Sequence, residues 1–381
     1  MAGKREIKNL KKAAERIKKA VEKKERIILY GDSDLDGVAS VVILKETIQN
    51  LGGQVTAVFF PDRENDGYGI TKKGLKDLEK FAPALFVSMD LGISNFEEAK
   101  MAKEMGFDLV IIDHHQILDG LPDASIIVDP KQDGDGYPFK GFANAGIVFR
   151  LSQLILGKNF SESVRNSFLE LTALATIADM MPVEEDNKGF IDEGLNALRN
   201  TFRPAINAFF EILESKSNIQ KIISALNTCE MVDHVNEAYL LLTSPDIVEA
   251  KKIAANLLQR DQEEKTRIKE IIREVEGRIN NQSENIIFEG DALWRLVFAG
   301  AVASNICQKY QKPTFIFKKG EDESCGSVRV PKDLNSVDAM ATCSSLLITY
   351  GGHPPASGFR IKNDNLERFK NCLSEYFKKQ K

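Results

Sequence analysis

Three residue types that often carry chemistry are scarce: only four histidines, five cysteines and one tryptophan occur in 381 residues. The cysteines (Cys229, Cys307, Cys325, Cys343 and Cys372) are scattered and form no CxxC pair. That excludes a zinc knuckle, and reduced, mostly buried thiols of a cytoplasmic protein are expected rather than a disulfide frame. No apolar run approaches the roughly 18 residues of a membrane span. The lysine-rich N-terminus has no apolar core of signal-peptide type, so the expectation is a cytoplasmic protein without a membrane partner. Excess positive charge is missing too, with 51 Lys+Arg against 56 Asp+Glu and a net charge of −5. Whole-molecule attraction to a polyanion is thereby excluded. A nucleic-acid ligand would need a local basic surface or bound metal.

What is present is ordinary for a globular chain: 43% hydrophobic and 28% charged residues, with length for two or three cores. Ile7, Leu10, Ala14, Ile17 and Val21 recur at helical spacing, so residues 1–24 read as an amphipathic helix packed on the domain; a nucleic-acid-binding arm is the alternative. Five short apolar runs follow: RIILY (26–30), VTAVFF (55–60), ALFVSMD (84–90), DLVIIDHH (108–115) and SIIVD (125–129). Helical stretches separate the first four, which predicts βαβ units and a parallel five-stranded sheet over residues 25–190. Residues 191–285 read as a helical region ending in a solvated linker helix. Apolar runs return after NNQSEN, predicting a second, smaller α/β domain over 286–381.

The chemistry lies at the strand ends, because an open parallel sheet binds ligands at its C-terminal edge. RIILY leads to Asp32, Asp34 and Asp36, LFVSM to Asp90, and LVII to Asp113, His114 and His115. On one edge these carboxylates repel one another unless cations lie between them. Oxygen ligands with one or two imidazoles suit Mn²⁺ or Mg²⁺, the histidine favouring Mn²⁺. Two such ions about 3.5–4 Å apart activate water in phosphoester hydrolysis. The competing reading makes the first three aspartates turn and N-cap residues. Capping explains one of them, but not three strands ending alike.

DSDLDG, MDLG and IIDHH, in that order, resemble the first three motifs of the DHH phosphoesterase superfamily. ATIADMMP (175–182) and PDRENDGYG (61–69) resemble segments of its RecJ-like branch. Residues Trp294 to Pro313, GSVRV (326–330) and GGHPPASGF (351–359) resemble the companion DHHA1 domain. The resemblance implies metal ligation by Asp34, Asp36, Asp90, His114 and Asp179, with Asp90 bridging two ions. It implies that His115 faces the scissile phosphate and that Asp113 orients a histidine. Arg63, Arg329, Gly351, Gly352 and His353 would contact substrate phosphate. His234, placed on a helix, reads as structural.

Three departures stand out. Tyr30 occupies a position where many relatives carry a ligating histidine, so Asp32 becomes a further candidate ligand. LNTCEM (226–231) lacks the arginine of an NAxGR stretch, and Ala303-Ser304-Asn305 replaces ASR. Each change removes a charge-assisted phosphate contact. The chain is also expected to lack the extra oligonucleotide-binding module of full-length RecJ exonucleases. The resemblance thus implies a metal-dependent exonuclease for single-stranded DNA or short oligonucleotides, in a DNA-repair setting. The alternatives are a phosphodiesterase for cyclic dinucleotides or other small substrates, a phosphoadenosine-phosphate phosphatase, or a catalytically degenerate scaffold in a repair or replication assembly.

Overall fold

The computed structural model describes residues 6–117, 120–228, 230–279 and 285–380. The chain divides into two compact units, residues 1–261 and 262–381. The first holds five parallel strands, β1 (Ile27–Gly31), β2 (Ala57–Phe59), β3 (Ala84–Met89), β4 (Phe107–Ile112) and β5 (Ile126–Val128), in the order β2-β1-β3-β4-β5. β1 and β3 are buried along their whole length, as expected of central parallel strands covered on both faces. Alternate side chains serve opposite layers. Leu29, Val87 and Val110 join helices α1 (Leu10–Glu22), α2 (Leu35–Asn50), α5 (Asn144–Leu156) and α6 (Glu162–Ala178) in one core. Ile28, Tyr30, Phe86 and Ile111 meet α3 (Lys72–Leu78) and α4 (Phe96–Glu104) in the other. Every expected strand is present.

Helices α7 (Glu185–Leu198), α8 (Pro204–Ile212), α9 (Ile219–Leu226) and α10 (Glu237–Thr243) continue this unit, and α11 (Ile247–Arg278) runs through the division. The boundary anticipated at 190 falls inside α7. The one at 285 adjoins residues 280–284, which lie outside the described residues. The helical region is interrupted by a small hairpin, β6 (Met231–Val232) and β7 (Val235–Asn236). His234, expected on a helix, therefore sits in a turn instead. Asp233 and His234 adopt φ 50° and 59°, and two successive positive φ values are what a two-residue hairpin turn requires.

The second unit is a mixed sheet ordered β11-β12-β10-β9-β8, from β8 (Ile287–Asp291), β9 (Thr314–Lys319), β10 (Glu323–Arg329), β11 (Leu347–His353) and β12 (Ala356–Lys362). Only β8 and β9 pair in parallel. Helix α12 (Leu296–Tyr310) packs on one face with Ile271 and Val275 of α11. α13 (Ser336–Thr342) and α14 (Leu366–Lys378) cover the other. Here one expectation is corrected: Cys343 and Cys372 form a disulfide. The end of α13 and one face of α14 bring their Cα atoms to 6.2 Å, a proximity that a sequence separation of 29 does not reveal. Cys307 and Cys325 are free, and Cys229 lies outside the described residues. Among the described residues no helix is long and apolar enough to cross a membrane.

One ion pair ties the first unit together. The buried Arg203 guanidinium donates to both oxygens of Glu46 on α2, at 2.8 and 2.7 Å, and to the Leu242 carbonyl on α10. Arg203→Ala strands Glu46, which keeps some solvent contact. The expected loss is therefore about 2–3 kcal/mol, below the full cost of breaking a buried pair. A urea midpoint that falls with unchanged slope checks this; an unchanged midpoint refutes it.

Candidate metal centre

The order β2-β1-β3-β4-β5 reverses between β1 and β3, so the chain leaves these neighbours in opposite lateral directions and opens a crevice at their C-terminal ends. The acidic residues occupy this place. After β1 the chain turns through Asp32 into α2, and Asp34 caps that helix, accepting from the amides of Asp36 and Gly37 at 3.1 and 3.2 Å. Gly37 is required here: a Cβ would stand 2.4 Å from the Asp32 carbonyl oxygen. Asp36, almost fully buried, accepts from the amides of Asn144 and Ala145 at 2.6 and 2.8 Å. The N-terminus of α5 thus stabilises one carboxylate.

Asp90 follows β3 with φ 64°, a left-handed conformation that is costly for a residue with a side chain. Asp113 follows β4, and its Oδ1 accepts from the His115 amide and from His115 Nδ1 at 2.8 Å. His114 Nδ1 lies 2.7 Å from the Phe142 carbonyl. A carbonyl only accepts, so Nδ1 carries the proton and the Nε2 lone pair is left to meet an electrophile. That nitrogen is 3.0 Å from Asp90 Oδ1, 3.6 Å from Asp179 Oδ2 and 3.9 Å from Asp36 Oδ2. Asp179 arrives from the C-cap of α6.

The electrostatics follow from this crowding. Burial, then the charges of Asp179 and Asp34, raise the Asp36 carboxyl well above its ordinary value. Burial and the charges of Asp36, Asp34, Asp32 and Asp179 do the same to Asp90. Asp179 is pushed up to about 7 by burial and the charge of Asp34. Asp34 goes the other way, to about 2, because Arg63 outweighs burial. For His115, burial opposes the charged form, but the charge and hydrogen bond of Asp113 win and raise it to about 9. Asp90 Oδ1 and Asp179 Oδ2 are buried with no hydrogen-bond partner among the described residues. Two orphaned acceptors facing an imidazole lone pair are the donor set of a cation site. The ligand atoms of Asp36, Asp90 and His114 lie within 4.8 Å of one another, as do those of Asp32, Asp34 and Asp90. Asp90 belongs to both groups.

Arg63, expected at a substrate phosphate, is paired with Asp32 and Asp34 at 2.7 and 2.8 Å. The Tyr30 hydroxyl lies 3.3 Å from the Gly69 carbonyl and accepts from the Thr71 amide, while its ring stacks on Phe59 and Phe86. Tyr30 is thus a packing residue of the α3/α4 layer. In the second unit Arg329 and His353 both stand opposite Ala356, one on each side of β12, with Gly352 facing Ser357 and Gly351 facing Gly358. These glycines belong to a hairpin, and at Gly352 (φ 133°) a Cβ would meet the Ala356 carbonyl at 2.7 Å.

Several supporting residues carry no sequence signature. Asn227, at the position of the lost NAxGR stretch, accepts from the Leu35 amide at 3.0 Å, and Asn236 donates to the Ser33 carbonyl at 2.8 Å. The helical region therefore clamps the Asp32–Asp36 turn. Lys131 donates to the His114 carbonyl, and the buried Asp129, at the end of β5, accepts from the Lys131 amide. Asp129 is a fourth acidic strand end. The SIIVD run contains it, and the rule that singled out Asp90 would have found it.

A family model for the DHH family, N-terminal domain, matches residues 26–176, and one for the DHHA1 domain matches 286–379. The single-stranded-DNA-specific exonuclease RecJ of Bacillus subtilis (strain 168) is 32% identical over 381 residues, covering 97% of this chain but 48% of that protein. The RecJ of Thermus thermophilus is 26% identical over 375 residues, 97% of this chain and 54% of its own length. The chain thus spans about half the length of these curated relatives. Among solved structures, an exonuclease RecJ bound to manganese superposes with TM-score 0.79 at 24% identity, covering 98% of this chain and 95% of that one. The Thermus thermophilus RecJ in complex with Mn²⁺ gives 0.82 at 22%, covering 98% and 55%. One matched domain falls in each compact unit, which sets the class: a DHH domain followed by a DHHA1 domain. The chain belongs to the DHH superfamily, on its RecJ-like branch.

Gly37→Ala should cost about 1–3 kcal/mol, because the clash is with backbone that cannot step aside. A fall in the thermal midpoint measures it; an unaltered midpoint would show that the β1–α2 turn tolerates a side chain at this position.

Proposed function

We propose that this chain is a metal-dependent phosphodiesterase that hydrolyses single-stranded nucleic acid from an end. Asp34, Asp36, Asp90, His114 and Asp179 hold two divalent cations, with Asp32 a further ligand and Mn²⁺ favoured over Mg²⁺. The observation that carries this reading is that Asp90 is shared by the Asp36/His114 and the Asp32/Asp34 ligand groups, with its Oδ1 buried and without a hydrogen bond among the described residues. When bound, such ions supply an acidified water and positive charge at the leaving oxygen.

The rest is done by the chain. The Phe142 carbonyl keeps His114 in the tautomer that presents Nε2. Asp113 grips His115 through Nδ1 and so orients its ring, whose Nε2 would donate to a phosphoryl oxygen. Arg63 neutralises Asp32 and Asp34 in the protein alone, and can turn to substrate phosphate once cations take that charge. In the second unit Arg329, Gly351, Gly352 and His353 provide further phosphate contacts. The names of the curated relatives support single-stranded DNA as substrate, and solved RecJ structures with Mn²⁺ and with Mg²⁺ support the ion class.

A second reading, hydrolysis confined to short oligonucleotides, is favoured by Met231 and Asn305 standing where the NAxGR and ASR patterns carry arginines.

With Mn²⁺ and end-labelled single-stranded DNA, the wild-type protein should release mononucleotides. Asp90→Asn should reduce the rate by roughly 10²–10³-fold. Equal release by both proteins would discard the site. Across a ladder of oligonucleotide lengths, steady turnover marks the strand exonuclease, whereas a sharp fall beyond about five nucleotides selects the short-substrate reading.

A further inference from the structure

A groove of about 410 Å³ runs along the second unit between the last turns of α11 and the face of α12. Lys269, Arg273 and Glu276 line it from α11, and Asn305, Gln308 and Lys309 from α12. Lys269 and Arg273 are four residues apart, and Asn305, Gln308 and Lys309 fall at i, i+3 and i+4. The α12 edge is polar throughout, and Ile272 is the one apolar side chain that α11 adds to the lining. The acidic neighbours are taken. Glu276 pairs with Lys309 at 2.6 Å, Glu270 with Arg267 at 2.8 Å, and Glu274 accepts from the Trp294 indole at 2.9 Å. Lys269 and Arg273, both exposed, have no ion-pair partner among the described residues.

We propose that this groove binds the phosphate backbone of single-stranded nucleic acid and forms an anchoring site built from residues outside the acidic pocket. The inference rests on nucleic acid being the substrate. Apart from bound metal, a chain of net charge −5 holds a polyanion through local patches of unopposed cations, and Lys269 with Arg273 make one. The planar guanidinium of Arg273 suits two oxygens of one phosphate, and Lys269 serves the next as a point charge. Gln308, and the second amide N–H of Asn305, whose first goes to the Ala301 carbonyl at 2.9 Å, supply neutral donors to phosphate or sugar oxygens, in place of a charged contact. None of the seven lining residues is aromatic, so no base is stacked. Binding here is therefore independent of sequence and strongly dependent on salt.

The test is fluorescence anisotropy of a labelled oligothymidylate in EDTA, at salt between about 50 and 200 mM. Lys269→Gln/Arg273→Gln should lower the slope of log K against log salt by about 1.4, and weaken binding roughly tenfold or more at 0.1 M salt, for two lost single-strand phosphate contacts. Glu276→Gln frees Lys309 and should tighten binding, a direction that a folding defect does not produce. Unchanged affinity and slope in both variants overturn the proposal. So does loss of polyglutamate binding in the double variant with oligonucleotide binding intact, which would mark a protein-docking surface. Because no hydrolysis occurs in EDTA, absence of Mn²⁺-dependent release would count against the catalytic reading alone.

Discussion

Mutual repulsion among aspartates is the constraint around which the first unit is organised. Asp32, Asp34, Asp36, Asp90, Asp113 and Asp179 lie at one edge of a sheet, most of them out of water. Like charges in a dry site raise each other's proton affinity, and an unpaired buried carboxylate costs several kcal/mol. The fold answers locally. Arg63 neutralises Asp32 and Asp34, the start of α5 supplies two amides to Asp36, and His115 covers Asp113. What is left over is a pair of acceptors, Asp90 Oδ1 and Asp179 Oδ2, beside a His114 nitrogen whose tautomer turns a lone pair towards them. Positive charge between these atoms resolves the conflict, and the proposed phosphoester hydrolysis would use the same arrangement.

Holding repelling groups together demands a stiff frame, and the surrounding packing supplies one. Gly37 lets α2 sit directly on the Asp32 backbone, and the strained φ of Asp90 is held by ladder bonds to its neighbours. Asn227 and Asn236 reach in from the helical region to grip the same turn. The helical region therefore has a mechanical role at the site. Tyr30 follows the same logic: its ring fills the α3/α4 layer and its hydroxyl fixes the 69–71 backbone.

Much of the first unit was legible because its signals are local. A buried parallel strand is a short apolar run, and the residue that ends it is polar whatever lies far away in the chain, so RIILY, ALFVSM and LVII located their strands and placed Asp34, Asp90 and His114 at one edge. Four features were not legible. Cys343 meets Cys372 only because α13 and α14 share a face of the second sheet. His234 reads as helical from its neighbours, yet a two-residue turn decides its backbone. Asn144 and Lys131 touch the site through bonds to residues distant in the chain, which no spacing rule encodes.

The sequence alone thus determined the five strands of the first unit, their parallel pairing and three of the acidic strand ends, since periodicity and strand termination depend on near neighbours. Tertiary structure decided which of these groups share a cation-sized space, which are already neutralised by Arg63 or a helix start, and which histidine nitrogen faces them. Those outcomes depend on distances of 3.0–3.9 Å between residues as far apart in the chain as Asp36, His114 and Asp179. At that range burial and Coulomb energy, rather than local propensity, set the result.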